Sequence, residues 1–330
     1  MPAATIRDVA RLAQVSVATV SRALNGLNNV SELTRTRVTD AVRELGYVPH
    51  AGARSLSLSR TNAIGVVLPD LHGEFFSELV RGLDREASRS GYLLLLSNLH
   101  RGGEQAALAL SAMRGRVDGL LVMAPHLREA DLSASLPAGI PAMLINTRDE
   151  SGGRPAVHLD NRAGARAVVE HFAAGGRKSL VHIAGPKGNI DADERAQAFI
   201  EAAKANGLEH VVVQGDFEEA SGEAVVKELL AKGHRFDAIF AANDNMAIGA
   251  LQALNEAGID VPGKVAVAGF DDIPLARHLG LTTVSVRISE LGERALARLL
   301  NALVEEDAGG DELHAPELVV RRTTDPKAAE

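Results

Sequence analysis

The chain has no cysteine and no tryptophan among its 330 residues, and only two tyrosines and eight phenylalanines. Without cysteine there can be no disulfide, no thiolate zinc site, no iron–sulfur cluster and no cysteine nucleophile. The same lack suits a reducing compartment. Without tryptophan, no indole can act as a platform for a ligand. Long apolar runs are also missing. A stretch such as Tyr92-Leu93-Leu94-Leu95-Leu96 is far short of the roughly 20 residues that span a bilayer. Charged Arg7, Asp8 and Arg11 follow Met1 to Thr5 at once, so no secretory signal and no membrane partner are expected, and the cytoplasm is the expected location. What remains, 46% hydrophobic and 24% charged, is ordinary globular composition. The length asks for two or three domains rather than one core.

The net charge of −8 argues against nucleic acid until it is divided along the chain. Residues 1–60 carry eight arginines against Asp8, Glu32, Asp40 and Glu44, a charge of +4 that leaves −12 on the remainder. A basic head on an acidic body calls for explanation, although a solvated helical face could produce it by chance.

The head reads as three short helices. Thr5 with Asp8 fits a capping box, and Ile6, Val9, Ala10 and Ala13 form one apolar stripe. Gln14-Val15 makes a tight break. Ser16 can cap a second helix, Val17 to Asn25, with Val20 and Leu24 inside and Val17, Ala18, Ser21, Arg22 and Asn25 outside. Ser31 can cap a third, with Val38, Val42 and Leu45 inside, Gly46 as a left-handed stop and Pro49 beyond it. Such an arrangement is a helix-turn-helix. Small residues let the second helix approach base edges, and Arg22 can grip guanine with two hydrogen bonds. Pattern alone also admits a generic three-helix bundle.

The run from Thr5 to Asn25, TIRDVARLAQVSVATVSRALN, resembles the DNA-binding head of the lactose/galactose repressor family, without a gap. By position, the resemblance makes Val17, Ala18 and Arg22 the base readers. Thr5, Ser16, Thr19, Ser21 and Asn25 become phosphate or base-edge support. The Val-Ala pair is of the galactose-repressor type. Gln14 departs from the Gly of many members. If positive φ is needed there, glutamine costs about 1 kcal/mol. Residues 50–61 are small and polar except for Leu56 and Leu58, and composition alone makes them a linker. The resemblance implies a hinge helix that orders on operator DNA, with Leu56, supported by Ala53, wedged into a central minor-groove step. Gly52 departs from the Ala-rich pattern of relatives and weakens such a helix by about 1 kcal/mol.

From Ala63 onward short apolar runs alternate with helical stretches. Strand candidates include Ile64–Leu68, Leu93–Ser97, Gly119–Met123, Ala142–Ile145, Ala156–Leu159, Leu180–Ala184, Val211–Gln214, Ala238–Ala241, Val265–Gly269 and Thr283–Val286. This alternation predicts an α/β core of two parallel sheets. Ligands in such folds sit beyond the carboxyl ends of the strands. Pro69-Asp70, Asn146, Asn243-Asp244 and Asp271-Asp272 occupy those ends, though any one acid there could simply cap a helix. The body resembles the effector core of the same family, which is similar to periplasmic sugar-binding proteins. The resemblance places the effector pocket on Leu71, His72, Phe75, Asn146, Asn189, Asp191, Arg195, Phe217, Asn243 and Asp271. These acids, amides and one arginine suit hydroxyl groups, and the two phenylalanines suit sugar C–H faces. Asn189 and Asp191 replace the Arg and Thr of a purine repressor. A phosphorylated sugar would want more cations than Arg195, so a neutral sugar or polyol is the expected ligand. Gly73-Glu74 stands where relatives often have Asn-Pro.

The expected organisation is a helix-turn-helix domain at 1–49, a hinge at 50–61 and a core at 62–330. Within the core, one subdomain takes about 62–160 plus 287–320 and the other about 161–286. No catalytic site, metal or cofactor is expected. Gly185-Pro186-Lys187-Gly188 lacks phosphate-loop spacing, and the eleven histidines show no metal-ligand pairing. His158 and His182 read as packing or surface residues of strands. The expected function is a repressor of carbohydrate genes, a homodimer or tetramer on double-stranded, pseudo-palindromic operator DNA and released by a sugar. A non-sugar effector, a co-repressor or a sugar-binding transport protein are the other readings.

Overall fold

The computed structural model describes residues 4–25, 29–48, 60–99, 103–147, 153–305 and 309–328. Leu56 and Ala53, expected to act from a hinge, lie outside these. The chain divides into two compact units. A small one comes from the first 63 residues with Gly115–Asp118, and a large one from the rest.

In the small unit, α1 (Ile6–Leu12), α2 (Val17–Leu24) and α3 (Glu32–Leu45) enclose Val9, Ala10, Ala13, Val20, Ala23, Val38 and Ala41. Each start is fixed by the residue the sequence offers. Ser16 and Ser31 accept the amides of Thr19 and Thr34. The Asp8 carboxylate accepts both the amide and the hydroxyl of Thr5. Helix α3 ends at Gly46 in the left-handed region. Gln14 has φ 51, the conformation that glycine would adopt without strain. The turn is held from α3, where the Arg37 guanidinium donates to the carbonyls of Ala13 and Gln14.

The large unit contains two parallel sheets, as the alternation predicts. The first is ordered β11-β5-β4-β3-β1-β2. Its strands are β1 (Ala63–Leu68), β2 (Leu93–Asn98), β3 (Gly119–Met123), β4 (Ala142–Ile145), β5 (Ala156–Leu159) and β11 (Glu312–His314). Strands β1 and β3 are buried throughout, as strands covered on both faces must be. Helices α4 (Glu74–Ser90), α5 (Gly103–Ala112) and α6 (Glu129–Ser135) connect them, and α12 (Ile288–Glu305) packs on α4 and the sheet. That crossing requires Gly82, because a Cβ there would lie 1.9 Å from the Ser289 carbonyl oxygen.

The second sheet is ordered β7-β6-β8-β9, from β6 (Ser179–Ala184), β7 (Glu209–Gln214), β8 (Ala238–Ala241) and β9 (Ala266–Ala268). Helices α7 (Asn161–Ala174), α8 (Ile190–Ala205), α9 (Glu219–Ala231), α10 (Asp244–Glu256) and α11 (Pro274–His278) belong with it. The chain passes between the lobes three times. It runs from β5 into α7, from β10 (Thr283–Ser285) into α12, and from β11 into β12 (Glu317–Val319). The His314 ring Nε2 donates to the Val286 carbonyl at 2.9 Å and so joins the last two passages.

This third passage differs from the sequence expectation, which kept residues up to 320 with the first lobe. Strand β12 pairs antiparallel with β10, and beyond it Thr323 exchanges hydrogen bonds with Val267 of the second lobe. Strands β11 and β12 are three residues each, too short for a periodic pattern. No helix among the described residues is long and apolar enough to cross a membrane.

His182 is a core residue of the second lobe, between the rings of Phe199 and Phe240 at 4.9 and 4.7 Å. Its Nδ1 donates to the Phe240 carbonyl at 2.9 Å. Burial pushes its pKa down to about 4. The native state therefore binds this proton less tightly than the unfolded chain, and the group's stabilisation is lost as pH falls from about 6.5 toward 4. Urea unfolding of the parent and a His182→Leu variant across that window is expected to show the parent losing stability relative to the variant. Parallel curves would refute the assignment.

Candidate functional site

The exposed side of α2 presents Val17, Ala18 and Arg22, while Val20 and Ala23 face inward. Val17 is 41% exposed. The five support residues are all engaged inside the head. Ser16 Oγ accepts the Thr19 amide at 3.1 Å and lies 2.9 Å from the Thr19 hydroxyl. Asn25 Nδ2 lies 3.5 Å from Ser21 Oγ. Thr5 donates to Asp8. Their first task is to fix helix starts and ends, and any phosphate contact uses what hydrogen-bonding capacity is left.

In the large unit, Asp191 and Arg195 stand one turn apart on α8, so both face the same way and both are buried. Arg195 is only 3% exposed. Its Nε donates to Asn161 Oδ1 at 2.8 Å and its Nη1 to the Ala242 carbonyl at 2.6 Å. Nη1 also lies 3.5 Å from Asp271 Oδ1. The guanidinium carbon sits 3.6 Å from the centroid of the Phe270 ring, a cation–π arrangement. Asn161 then donates its amide to Asp191 at 2.8 Å and to Glu194 at 3.1 Å. Burial pushes Asp271 up to about 7, with Arg195 opposing and Asp191 adding to the shift. Asp191 is raised in the same way, by burial first.

The other second-lobe residues join this cluster through the backbone. Asn243 caps α10 by accepting the Met246 amide at 3.0 Å, and its Nδ2 donates to the Phe217 carbonyl at 2.9 Å. Phe217 has φ 76 and Asp271 φ 110, both in the region that glycine favours. Asn189 is occupied as the cap of α8, accepting the Ala192 amide at 3.1 Å. Asn146, at the end of β4, has φ 44 and accepts the Leu159 amide at 2.8 Å. Its buried Nδ2 has no partner among the described residues. Asn146 and Asp191 line one cleft of about 400 Å³ together with Asn161, Glu194, Ile190 and Leu313.

The first-lobe candidates are less gathered. Leu71 and His72 are exposed, in a loop whose amides are held by Asp70 Oδ1 at 2.6 and 3.0 Å. Phe75 is half-buried, edge-on to Phe76 at 5.2 Å. The sequence reading missed Asn161, Glu194 and Phe270. Asn161 follows the strand end at Asp160, where Asp160 caps α7 through the Ala163 amide. The strand-end rule that found Asn146 and Asn243 would have found it too.

Removing the arginine would leave two buried acids without a cation. Arg195→Met is expected to destabilise the protein by about 3 kcal/mol at pH 8, as for a broken buried pair. The loss is expected to shrink at pH 5, where Asp271, raised to about 7, takes up a proton. Equilibrium unfolding at the two pH values checks this, and an equal loss at both would contradict it.

Residues 5–50 match the family described as bacterial regulatory proteins, lacI family. Residues 169–324 match the periplasmic binding protein-like domain. The chain is 36% identical over 309 residues to the HTH-type transcriptional regulator GalR of Escherichia coli K12, covering 92% of this chain and 90% of that one. It is 35% identical over 324 residues to the ribose operon repressor of Halalkalibacterium halodurans, covering 97% of each. The lac repressor dimer bound to operator and the anti-inducer ONPF superimposes with a TM-score of 0.89 at 30% identity, covering 97% of this chain and 99% of that one. The complex of the regulator CelR with cellobiose gives 0.73 at 31% identity, with the same coverage. These relatives are transcriptional regulators, not enzymes. The chain belongs to the lacI family of DNA-binding transcriptional regulators.

Proposed function

We propose that this regulator represses carbohydrate-catabolic genes in the cytoplasm and leaves its operator when a neutral sugar or polyol binds between the two lobes. The observation that carries the effector half is the buried Asp191–Asn161–Arg195–Asp271 cluster. It sets two acids around one arginine whose Nε and Nη1 are already engaged by protein. Such a site accepts hydrogen bonds from hydroxyl groups and repels an added anion. The effector residues are Leu71, His72, Phe75, Asn146, Asn189, Asp191, Arg195, Phe217, Asn243 and Asp271, with Asn161 and Glu194 beside them. Relatives named for ribose and seen with cellobiose support a carbohydrate.

In the head, Val17, Ala18 and Arg22 read bases, and Thr5, Ser16, Thr19, Ser21 and Asn25 hold the helices and support the backbone contacts. Leu56 and Ala53 serve the minor groove from a hinge at 50–61, between a DNA-binding domain at 1–49 and a core from 62. Two copies read a pseudo-palindromic site, because a twofold protein matches a twofold sequence. Release follows from linkage: a ligand that prefers one cleft arrangement disfavours the arrangement required on DNA, and operator disfavours ligand equally.

Fluorescence anisotropy tests both halves on a galactose-type operator, with TG…CA half-sites and a central CpG, against galactose, ribose and cellobiose. Arg22→Ala is expected to cost about 1–3 kcal/mol on operator and little on random DNA; an unchanged preference would remove its base-reading role. Asp271→Ala is expected to bind operator but ignore the sugar that releases the parent. A normal response would take Asp271 out of the pocket.

A further inference from the structure

Glu74 entered the sequence reading only as a departure, standing where relatives often have proline. In the structure it is the first residue of α4, and its Oε2 accepts the amide of Leu275 at 2.9 Å. Leu275 is the second residue of α11, on the other lobe. The start of α11 has no acceptor of its own. Ile273, in the capping position, makes no side-chain cap, and Pro274 has no N–H to offer. Helix α4 also begins without a side-chain cap, after Gly73 at φ 90. That backbone angle suits glycine and brings Glu74 to the α4 start in place of the relatives' Asn-Pro pair. One carboxylate thus stands at the beginnings of two helices, where the backbone favours negative charge. A proline would serve the α4 start equally well but would give Leu275 nothing.

The bond connects two particular loops. Residues 70–75 carry Leu71, His72 and Phe75. Residues 271–275 carry Asp271. We propose that Glu74 is a positioning residue of the effector cleft, tying these loops together across the lobes and biasing the cleft toward the arrangement seen here. The consequence for effector binding rests on the effector reading of those loops; the tie itself does not. Without the acceptor, the lobes keep the three passages of the chain and the bond from the Ile190 amide to the Pro125 carbonyl at 2.9 Å, and the cleft populates wider arrangements more often in the absence of any ligand. A ligand that needs both loops then binds more weakly by the factor through which its competent arrangement is depleted.

The absence of cysteine makes the test direct. Spin labels at Ser88→Cys on α4 and Gln252→Cys on α10, diluted with unlabelled chain, report the distance between the lobes without effector or operator. Glu74→Ala and Glu74→Pro are expected to raise the ratio of wide to narrow arrangements about fivefold, the worth of one hydrogen bond. Glu74→Gln retains an acceptor of the same reach and is expected to keep the parent's distance distribution. Alanine and proline variants whose distributions superimpose on the parent's would overturn the tie. Calorimetric titration with the sugar that releases the parent from operator is expected to show binding to Glu74→Ala weakened by the factor through which the narrow fraction falls in the distance distributions, at most about fivefold, since affinity scales with the competent fraction. Altered distances with unaltered sugar affinity would overturn the positioning role and leave the tie. A sugar panel that fails on the parent would overturn the effector reading without touching the distance result.

Discussion

Arg195 is the constraint around which the large unit is arranged. A buried guanidinium is tolerable only when nearly every N–H has a partner and the charge is compensated. Asn161, the Ala242 carbonyl and Asp271 engage the N–H groups of Nε and Nη1, and the Phe270 face lies against the cation. Those partners come from α7, the end of β8 and the loop after β9, so the arginine fixes three separate strand ends relative to α8. The unusual backbone angles at Asp271 and Asp272 fit the same logic. The first acid turns toward Arg195. The second turns to Arg321, 2.7 Å away on the returning C-terminal segment.

The cluster also connects the ligand chemistry to the motion expected of the lobes. Asn161 opens α7, immediately after the first passage of the chain from one lobe to the other. It holds Asp191, Glu194 and Arg195 at once. Any change in the angle between the lobes is absorbed at the passages, and this one ends on the residue that orients the acids. On the proposed effector reading, a ligand bound to those acids and to Asn146 of the first lobe has different contacts in different cleft arrangements. That difference is the requirement for a ligand to shift an equilibrium at all.

Much of this was legible in the sequence, and the parts that were not share a cause. Serine and glycine at helix ends, and apolar stripes at helical spacing, announced α1 to α3 because local chemistry decides them. The apolar runs of β1 and β3 announced the sheets because strands buried on both faces leave no polar position. The uses of individual polar residues were harder. Asn243 stands at a strand end and Asn189 in the loop after one, yet each spends its side-chain oxygen capping a helix. Sequence cannot divide one amide between two roles. The strand-end rule reaches Asn161, but not its role, because its partners lie 30 or more positions away. Glu74 looked like a disturbance of a loop because its acceptor role depends on an amide 201 residues further on.

The charge arithmetic of the head changes most when the structure is added. Eight arginines against four acids suggested a surface made for phosphates. Two of those arginines are engaged by the backbone of the head itself: Arg35 donates to the Ala23 carbonyl at 3.1 Å, and Arg37 holds the turn between α1 and α2. Two more, Arg11 and Arg43, stand 3.3 and 3.6 Å from Asp8 and Asp40 on their own helices. Exposed pairs of this kind are weak and can exchange a carboxylate for a phosphate. The pair bonded to backbone carbonyls cannot be exchanged without loosening the turn that presents α2. Half of the apparent excess is therefore architecture for aiming the helix, and the salt dependence of DNA binding should reflect fewer phosphate contacts than eight arginines would give.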